Sequence, residues 1–119
     1  MQLRVAYETI SLPFEELSAD LGCFDLVLCS NVIDQCFAPR DLVRVLQKST
    51  APGGVLTMTC TYQWNDKYIG NASEPINDIQ ELFDSEWVVL GETNIPFHVR
   101  VCERYWKTFL SHAVTFARR

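Results

Sequence analysis

The 119-residue chain is short of several features that would make its chemistry obvious. It has five glycines but no GxGxG-like turn. That turn lets backbone amides reach a dinucleotide's phosphates, so its absence argues against a nucleotide-binding oxidoreductase. Basic residues are outnumbered, ten Lys and Arg against fifteen Asp and Glu, for a formal charge of −5. That balance argues against binding a phosphate backbone, and no nucleic-acid partner is expected, while the basic residues gathered at Arg100, Arg104, Lys107, Arg118 and Arg119 leave room for a local anion pocket. Histidine is scarce (His98 and His112), and the five cysteines form no CxxC, which argues against a bound metal. No stretch approaches 18 uninterrupted apolar residues, and the opening MQLRVAYETI lacks the basic-then-apolar layout of a secretory leader. The expectation is a cytoplasmic protein with no membrane partner. An odd cysteine count, with Cys29 and Cys60 inside apolar runs, fits small buried hydrophobes in a reducing compartment. The tripeptide Asn71-Ala72-Ser73 then reads as a chance match to a glycosylation site.

The composition, 48% hydrophobic and 21% charged, is that of one globular domain over residues 1–119. LRVAY, Leu3 to Tyr7, reads as a short strand, followed by a polar loop through Pro13 and Glu15-Glu16. FDLVLC, Phe24 to Cys29, is almost wholly apolar, as expected of a parallel strand covered on both faces. Ala38-Pro39-Arg40-Asp41 opens a helix, with Pro in the first turn and an acid at the positive end of its dipole. Leu42, Val43, Val45 and Leu46 recur at helical spacing, and Ala51-Pro52-Gly53-Gly54 ends the helix. Val55 to Thr61 alternates apolar residues with threonine and reads as a second strand. After a polar loop from Gln63 to Pro75, which carries Tyr68 and Gly70, INDIQELF (Ile76 to Phe83) reads as a short helix. Trp87–Leu90, Phe97–Cys102 and Thr108–Phe116 read as three strands, with Pro96 breaking the first from the second. Strands alternating with single helices predict a mainly parallel α/β sheet closed by an antiparallel strand pair.

Ligands of such sheets sit outside the carboxyl ends of the strands, where the loops diverge. Two such ends are present, Cys29-Ser30-Asn31-Val32-Ile33-Asp34 and Cys60-Thr61-Tyr62-Gln63-Trp64. Ser30 and Asn31 bring short donors and acceptors; Tyr62 and Trp64 bring flat apolar walls with a polar tip. Ser30 and Asn31 also suit plain strand capping, and Asp34 also suits helix entry.

The segments FDLVLCSNVID and APGGVLTMTCTYQW resemble the fourth and fifth strands of class I S-adenosylmethionine-dependent methyltransferases. CTYQW with IPFHVRVCERYWKTFLSHAVTFARR is similar to the end of the ovothiol-pathway mercaptohistidine N-methyltransferases, over roughly residues 22–119. The resemblance implies a partial Rossmann-like sheet, S-adenosylmethionine as cofactor and methyl transfer to an imidazole nitrogen of a small molecule. Carried onto this chain, it puts Cys29, Ser30, Asn31 and Val32 at the cofactor and Tyr62 and Trp64 around the acceptor ring. Asp34 or a tyrosine hydroxyl would hold the acceptor's tautomer, and Arg100 or Arg104 its carboxylate. The bland alternative for both arginines is surface charge, and for His98 and His112 a satisfied structural ring. The family's opening strand and glycine turn have no counterpart here, so the chain resembles a C-terminal half. The partner implied is a second copy in a homodimer, an N-terminal half or a sulfoxide synthase domain. A non-catalytic module that completes a partner's fold is the competing reading.

Overall fold

The protein is described from a computed structural model, which covers residues 6–11, 21–64 and 76–119. The expected strand at Leu3–Tyr7 falls largely outside these residues, and so do Pro13, Glu15-Glu16 and the loop segment 65–75. Four strands and one α-helix follow one another: β1 Phe24–Ser30, α1 Pro39–Ser49, β2 Thr50–Cys60, β3 Trp87–Cys102 and β4 Tyr105–Arg118. Short 3-10 turns sit at Ile33–Gln35 and Ile79–Leu82. The sheet order is β1-β2-β4-β3. β1 runs parallel to β2, while β2–β4 and β4–β3 are antiparallel.

The sheet is therefore mixed and largely antiparallel, which overturns the expected mainly parallel, Rossmann-like architecture. Strands make up 51% of the described residues and helical turns 19%. The reason lies in residues 87–118, which contain no crossover helix. Consecutive strands joined by a tight turn can only pair antiparallel, and β4 then returns along β2. Pro96 does not divide β3. It sits opposite Leu110 on an edge strand, the place in a sheet where proline is tolerated.

The predicted helix is present, with Pro39 at its start, Asp41 in the first turn and Lys48 in the last. Leu42 and Val43 are buried on its inner side. Its carboxyl end is closed by Arg118 from β4, whose Nη1 donates to the carbonyls of Gln47 (3.4 Å) and Thr50 (2.6 Å). The helix expected over Ile76–Phe83 contracts to one 3-10 turn, capped by Asp78 Oδ1, which accepts the Gln80 N–H at 2.9 Å.

The second glycine of Pro-Gly-Gly is needed because two backbones nearly touch. A Cβ on Gly54 would lie 2.8 Å from the Ala51 carbonyl oxygen and 3.1 Å from those of Phe24 and Asp25. Gly53 takes φ +80°, a left-handed turn open to glycine without strain. Here β2 joins β1 with an irregular register between Phe24 and Leu26.

Side chains alternate across the sheet. Cys29, Leu56, Met58, Cys60, Val114 and Phe116 point to one face and form the core with Ile33, Leu42, Val43, Ile76 and Ile79. Phe83 stacks on Phe116 with ring centroids 3.7 Å apart. The opposite face carries Leu26 and Leu28, 68% and 67% exposed, beside Val55, Thr57, Thr115 and Ala117. Among the described residues no helix is long and apolar enough to cross a membrane.

Candidate functional site

The carboxyl ends of β1 and β2 lie side by side, with Cys29 opposite Met58 and Ser30 opposite Thr59. The chain leaves β1 through Asn31 at φ 53° and leaves β2 near Tyr62 at φ 57°, the two left-handed non-glycine residues among those described. Such conformations cost on the order of 1–3 kcal/mol and persist only where the surroundings enforce them.

At Asn31 the enforcement comes from β2 and β4. Its N–H donates to the Thr59 carbonyl (3.0 Å) and to Thr59 Oγ1 (2.9 Å). Its Oδ1 accepts from Ser111 Oγ (2.8 Å) and Thr59 Oγ1 (3.1 Å). Because the Thr59 hydrogen is committed to Asn31, Ser30 Oγ is the donor in its 3.1 Å bond to Thr59 Oγ1. With its oxygen doubly held, the exposed Asn31 carboxamide presents its NH₂ in a fixed orientation.

At Tyr62 the enforcement comes from Asp34. This residue is 1% exposed and grips the residues on either side of Tyr62: its Oδ2 accepts from Thr61 Oγ1 (2.5 Å) and from the Gln63 N–H (3.2 Å). The Tyr62 N–H donates to Cys60 Sγ at 3.3 Å. Asp34 thus serves as an internal clamp on the Tyr62 turn, and its carboxylate faces inward rather than toward a ligand.

The Tyr62 hydroxyl accepts the Ile79 N–H at 3.1 Å and lies 2.6 Å from His112 Nδ1. His112 Nε2 is in turn 2.6 Å from Glu92 Oε1. The hydrogen bonds from His112 and then Gln80 hold the Glu92 carboxyl below its ordinary range. Burial pushes the Tyr62 phenol up to about 12, so it keeps its proton at neutral pH. Trp64 meets the Tyr62 ring edge-on at 6.4 Å and donates its Nε1–H to the Ile76 carbonyl at 3.1 Å.

The expected site residues thus divide. Ser30, Asn31, Val32, Tyr62 and Trp64 gather at the two strand ends, with Val32 exposed beside Asn31. Cys29 belongs to the core at 7% exposure; burial pushes its thiol up to about 11, so it offers no side chain to a cofactor. Arg100 and Arg104 lie at the far end of the β3–β4 hairpin. Arg100 pairs with Trp106, six residues along β4 from His112, or about 20 Å at the usual strand rise. Arg100 Nε donates to the Cys102 carbonyl at 3.3 Å, and its guanidinium stacks 5.7 Å above the Trp106 ring. Neither arginine reaches the carboxyl ends of β1 and β2. Ser111, Thr59 and Glu92 carry no signal in the sequence, and His112 reads there as a structural ring; they come from β4, β3 and the carboxyl end of β2, and only the pairing of β4 with both β2 and β3 places them at the site. His98, bonded through Nδ1 to Thr108 Oγ1 at 2.8 Å, lies out on the hairpin.

The cofactor that the sequence resemblance implies, S-adenosylmethionine, would need both donors and an acid at this rim. Ser30, the Asn31 amide and Val32 offer donors and an apolar contact, but within 30–34 and 61–64 the one carboxylate, Asp34, is buried. A ribose diol would need its acid from elsewhere.

No family model matches the chain, and no curated protein matches it. Solved structures do. One is the structure described as "Conversion of a Disulfide Bond into a Thioacetal Group during Echinomycin Biosynthesis", with a TM-score of 0.54 at 12% identity over 82% of this chain. At that identity the likeness is one of fold, and the matched region is 50% of that chain.

Proposed function

We propose that this chain is the acceptor-side portion of an S-adenosylmethionine-dependent methyltransferase acting on a ring nitrogen of a small molecule. The observation that carries the reading is the adjacency of two enforced left-handed residues, Asn31 and Tyr62, at the carboxyl ends of parallel neighbours. These are the segments in which the sequence resembles that class. Bound there, S-adenosylmethionine supplies a methyl carbon already activated by the sulfonium charge. The protein's own residues then have to align the acceptor and exclude water, and alignment alone is worth up to about 7–11 kcal/mol. Asn31 presents oriented amide hydrogens on the open side of the sheet. Tyr62 and Trp64 form the wall on the other side, with the Tyr62 hydroxyl as its polar tip. A neutral imidazole nitrogen has its own lone pair, so no strong base is required, which agrees with the inward-facing Asp34. An acceptor carboxylate would be held by a group other than Arg100 or Arg104.

A second reading is favoured by the sheet face and the outer side of β1, which no other described residue covers or pairs with: a module that completes a partner's fold without turning over substrate. Calorimetry with S-adenosylhomocysteine separates the two. Methyl transfer predicts binding by the chain, alone or joined to an N-terminal half, and weakening of that binding in Asn31→Ala. No heat in either form leaves the second reading.

A further inference from the structure

The chain Glu92–His112–Tyr62 runs from an exposed carboxylate on β3 to the half-buried Tyr62, and with His112 neutral its direction follows from the chemistry of its members. An ionised carboxylate only accepts, so His112 Nε2 carries the hydrogen that Glu92 receives at 2.6 Å. Neutral His112 then has a bare Nδ1, and the Tyr62 hydroxyl must donate to it across 2.6 Å. The same oxygen accepts the Ile79 N–H at 3.1 Å. A phenol oxygen has one hydrogen and two lone pairs. The hydrogen and one lone pair are thus occupied, and one lone pair is left.

We propose that His112, oriented by Glu92, is a positioning residue that makes Tyr62 an obligate hydrogen-bond acceptor toward the ligand, so that the site selects rings carrying an N–H. This rests on the methyl-transfer reading and narrows its substrate class. An azole with one N–H and one bare nitrogen would give its hydrogen to Tyr62 and keep its lone pair directed elsewhere, as a nucleophile must. Protonating His112 reverses the polarity. Nδ1–H would then donate to the phenol, both lone pairs would be taken by His112 and Ile79, and the Tyr62 hydrogen would turn outward as a donor. The titratable groups around His112 are Glu92 on β3, Cys60 opposite it on β2 and Tyr62 itself, with Asp78 acting on Tyr62 from before the 3-10 turn. Tyr62 is half-buried, which leaves it within reach of a ligand, while the His112 side chain is only 13% exposed and acts through it.

The test uses one ¹⁵N-labelled sample of the chain and two probes, pyrazole and 1-methylpyrazole, which differ by the N–H and do not titrate in the range used. The ring-nitrogen shifts of His112 give its tautomer and protonation directly. Expected are an Nε2–H tautomer in the neutral form and tighter binding of pyrazole by about 10-fold, the scale of one satisfied against one unmet hydrogen bond. That preference should vanish or invert once the His112 resonances report protonation. It should be lost in Tyr62→Phe and reduced in Glu92→Leu, where the tautomer becomes mixed. An Nδ1–H tautomer in the parent chain, or a preference that survives protonation or Tyr62→Phe, overturns the proposal. Failure of both probes to bind overturns the selectivity. If S-adenosylhomocysteine still binds in either of these cases, the methyl-transfer reading stands without the relay. If the N–H preference appears and S-adenosylhomocysteine does not bind in any form, the relay stands without methyl transfer.

Discussion

The two faces of the sheet are built from the same strands and could hardly differ more. Toward α1 and the 3-10 turn, Leu56, Met58, Cys60 and Val114 are each fully buried, and Phe116 is buried beneath the stacked Phe83. One residue along in each strand, the other face carries Leu26 and Leu28 in solvent and a row of hydroxyls, with Thr57 and Thr115 bonded at 3.1 Å. The lesson is that FDLVLC reads as a strand buried on both sides, whereas among the described residues only one of those sides is covered. Apolar side chains at alternate positions record the burial that a strand is suited to, and the elements packed on it decide the burial it receives.

The sharpest way to break the contrast is to empty the covered face. Phe116→Ala should cost about 3–5 kcal/mol in denaturant unfolding, because a fully buried ring leaves a cavity as well as lost transfer energy. A loss under about 1 kcal/mol would mean this face is not the core.

Asp34→Ala comes next. It removes an inward carboxylate and leaves the Thr61 hydroxyl and the Gln63 N–H unpartnered, for about 1–3 kcal/mol. It should also release the Tyr62 turn, read as a change in the Tyr62 ring resonances; an unchanged Tyr62 would show that the clamp does not hold it.

The thiols sharpen the same contrast chemically. In the folded chain at neutral pH, Cys23 and Cys102 should react with a disulfide reagent, while Cys29, Cys36 and Cys60 should react only on unfolding. Burial raises Cys60 to about 12 and Cys29 to about 11 from 9.0. A raised folded value means the folded state keeps its proton longer. That stability is fully present below the unfolded value and is lost as pH climbs from about 9 toward 12. Glu92 runs the other way: its lowered value contributes stability above the ordinary carboxylate range, lost as pH falls through the folded value. An unfolding series across pH checks both limbs.

The smallest effect is expected on the open face. Leu28→Ser should change stability by no more than about 0.5 kcal/mol while raising solubility. A large loss there would mean that this face is covered in solution, and would favour the fold-completing module.

Much of the local structure was legible in the chain. Pro39, Asp41 and the spacing of Leu42, Val43 and Leu46 mark α1, because a first helical turn tolerates a residue without an N–H and favours an acid at its positive end. Gly54 lies within β2 where that strand closes on β1, for reasons of backbone clearance. Ser30, Asn31, Tyr62 and Trp64 were recognisable as strand-end residues. The direction of pairing was not: an alternating pattern is the same for parallel and antiparallel neighbours, and Pro96 reads as a break until its strand is known to be an edge. Nor was the use of Asp34, whose partners lie 27 and 29 residues away.

The sequence by itself determined where α1 starts and that Phe24–Cys29 and Val55–Cys60 are strands, since these depend on neighbours a few residues apart; that Gly54 must lack a Cβ depends on Phe24 and Asp25 across the sheet. Only the tertiary structure decided that the sheet is mixed, that Arg100 and Arg104 stand far from the strand ends, and that Glu92, His112 and Tyr62 meet. Those outcomes follow from β4 lying between β2 and β3, a long-range pairing that no local spacing encodes.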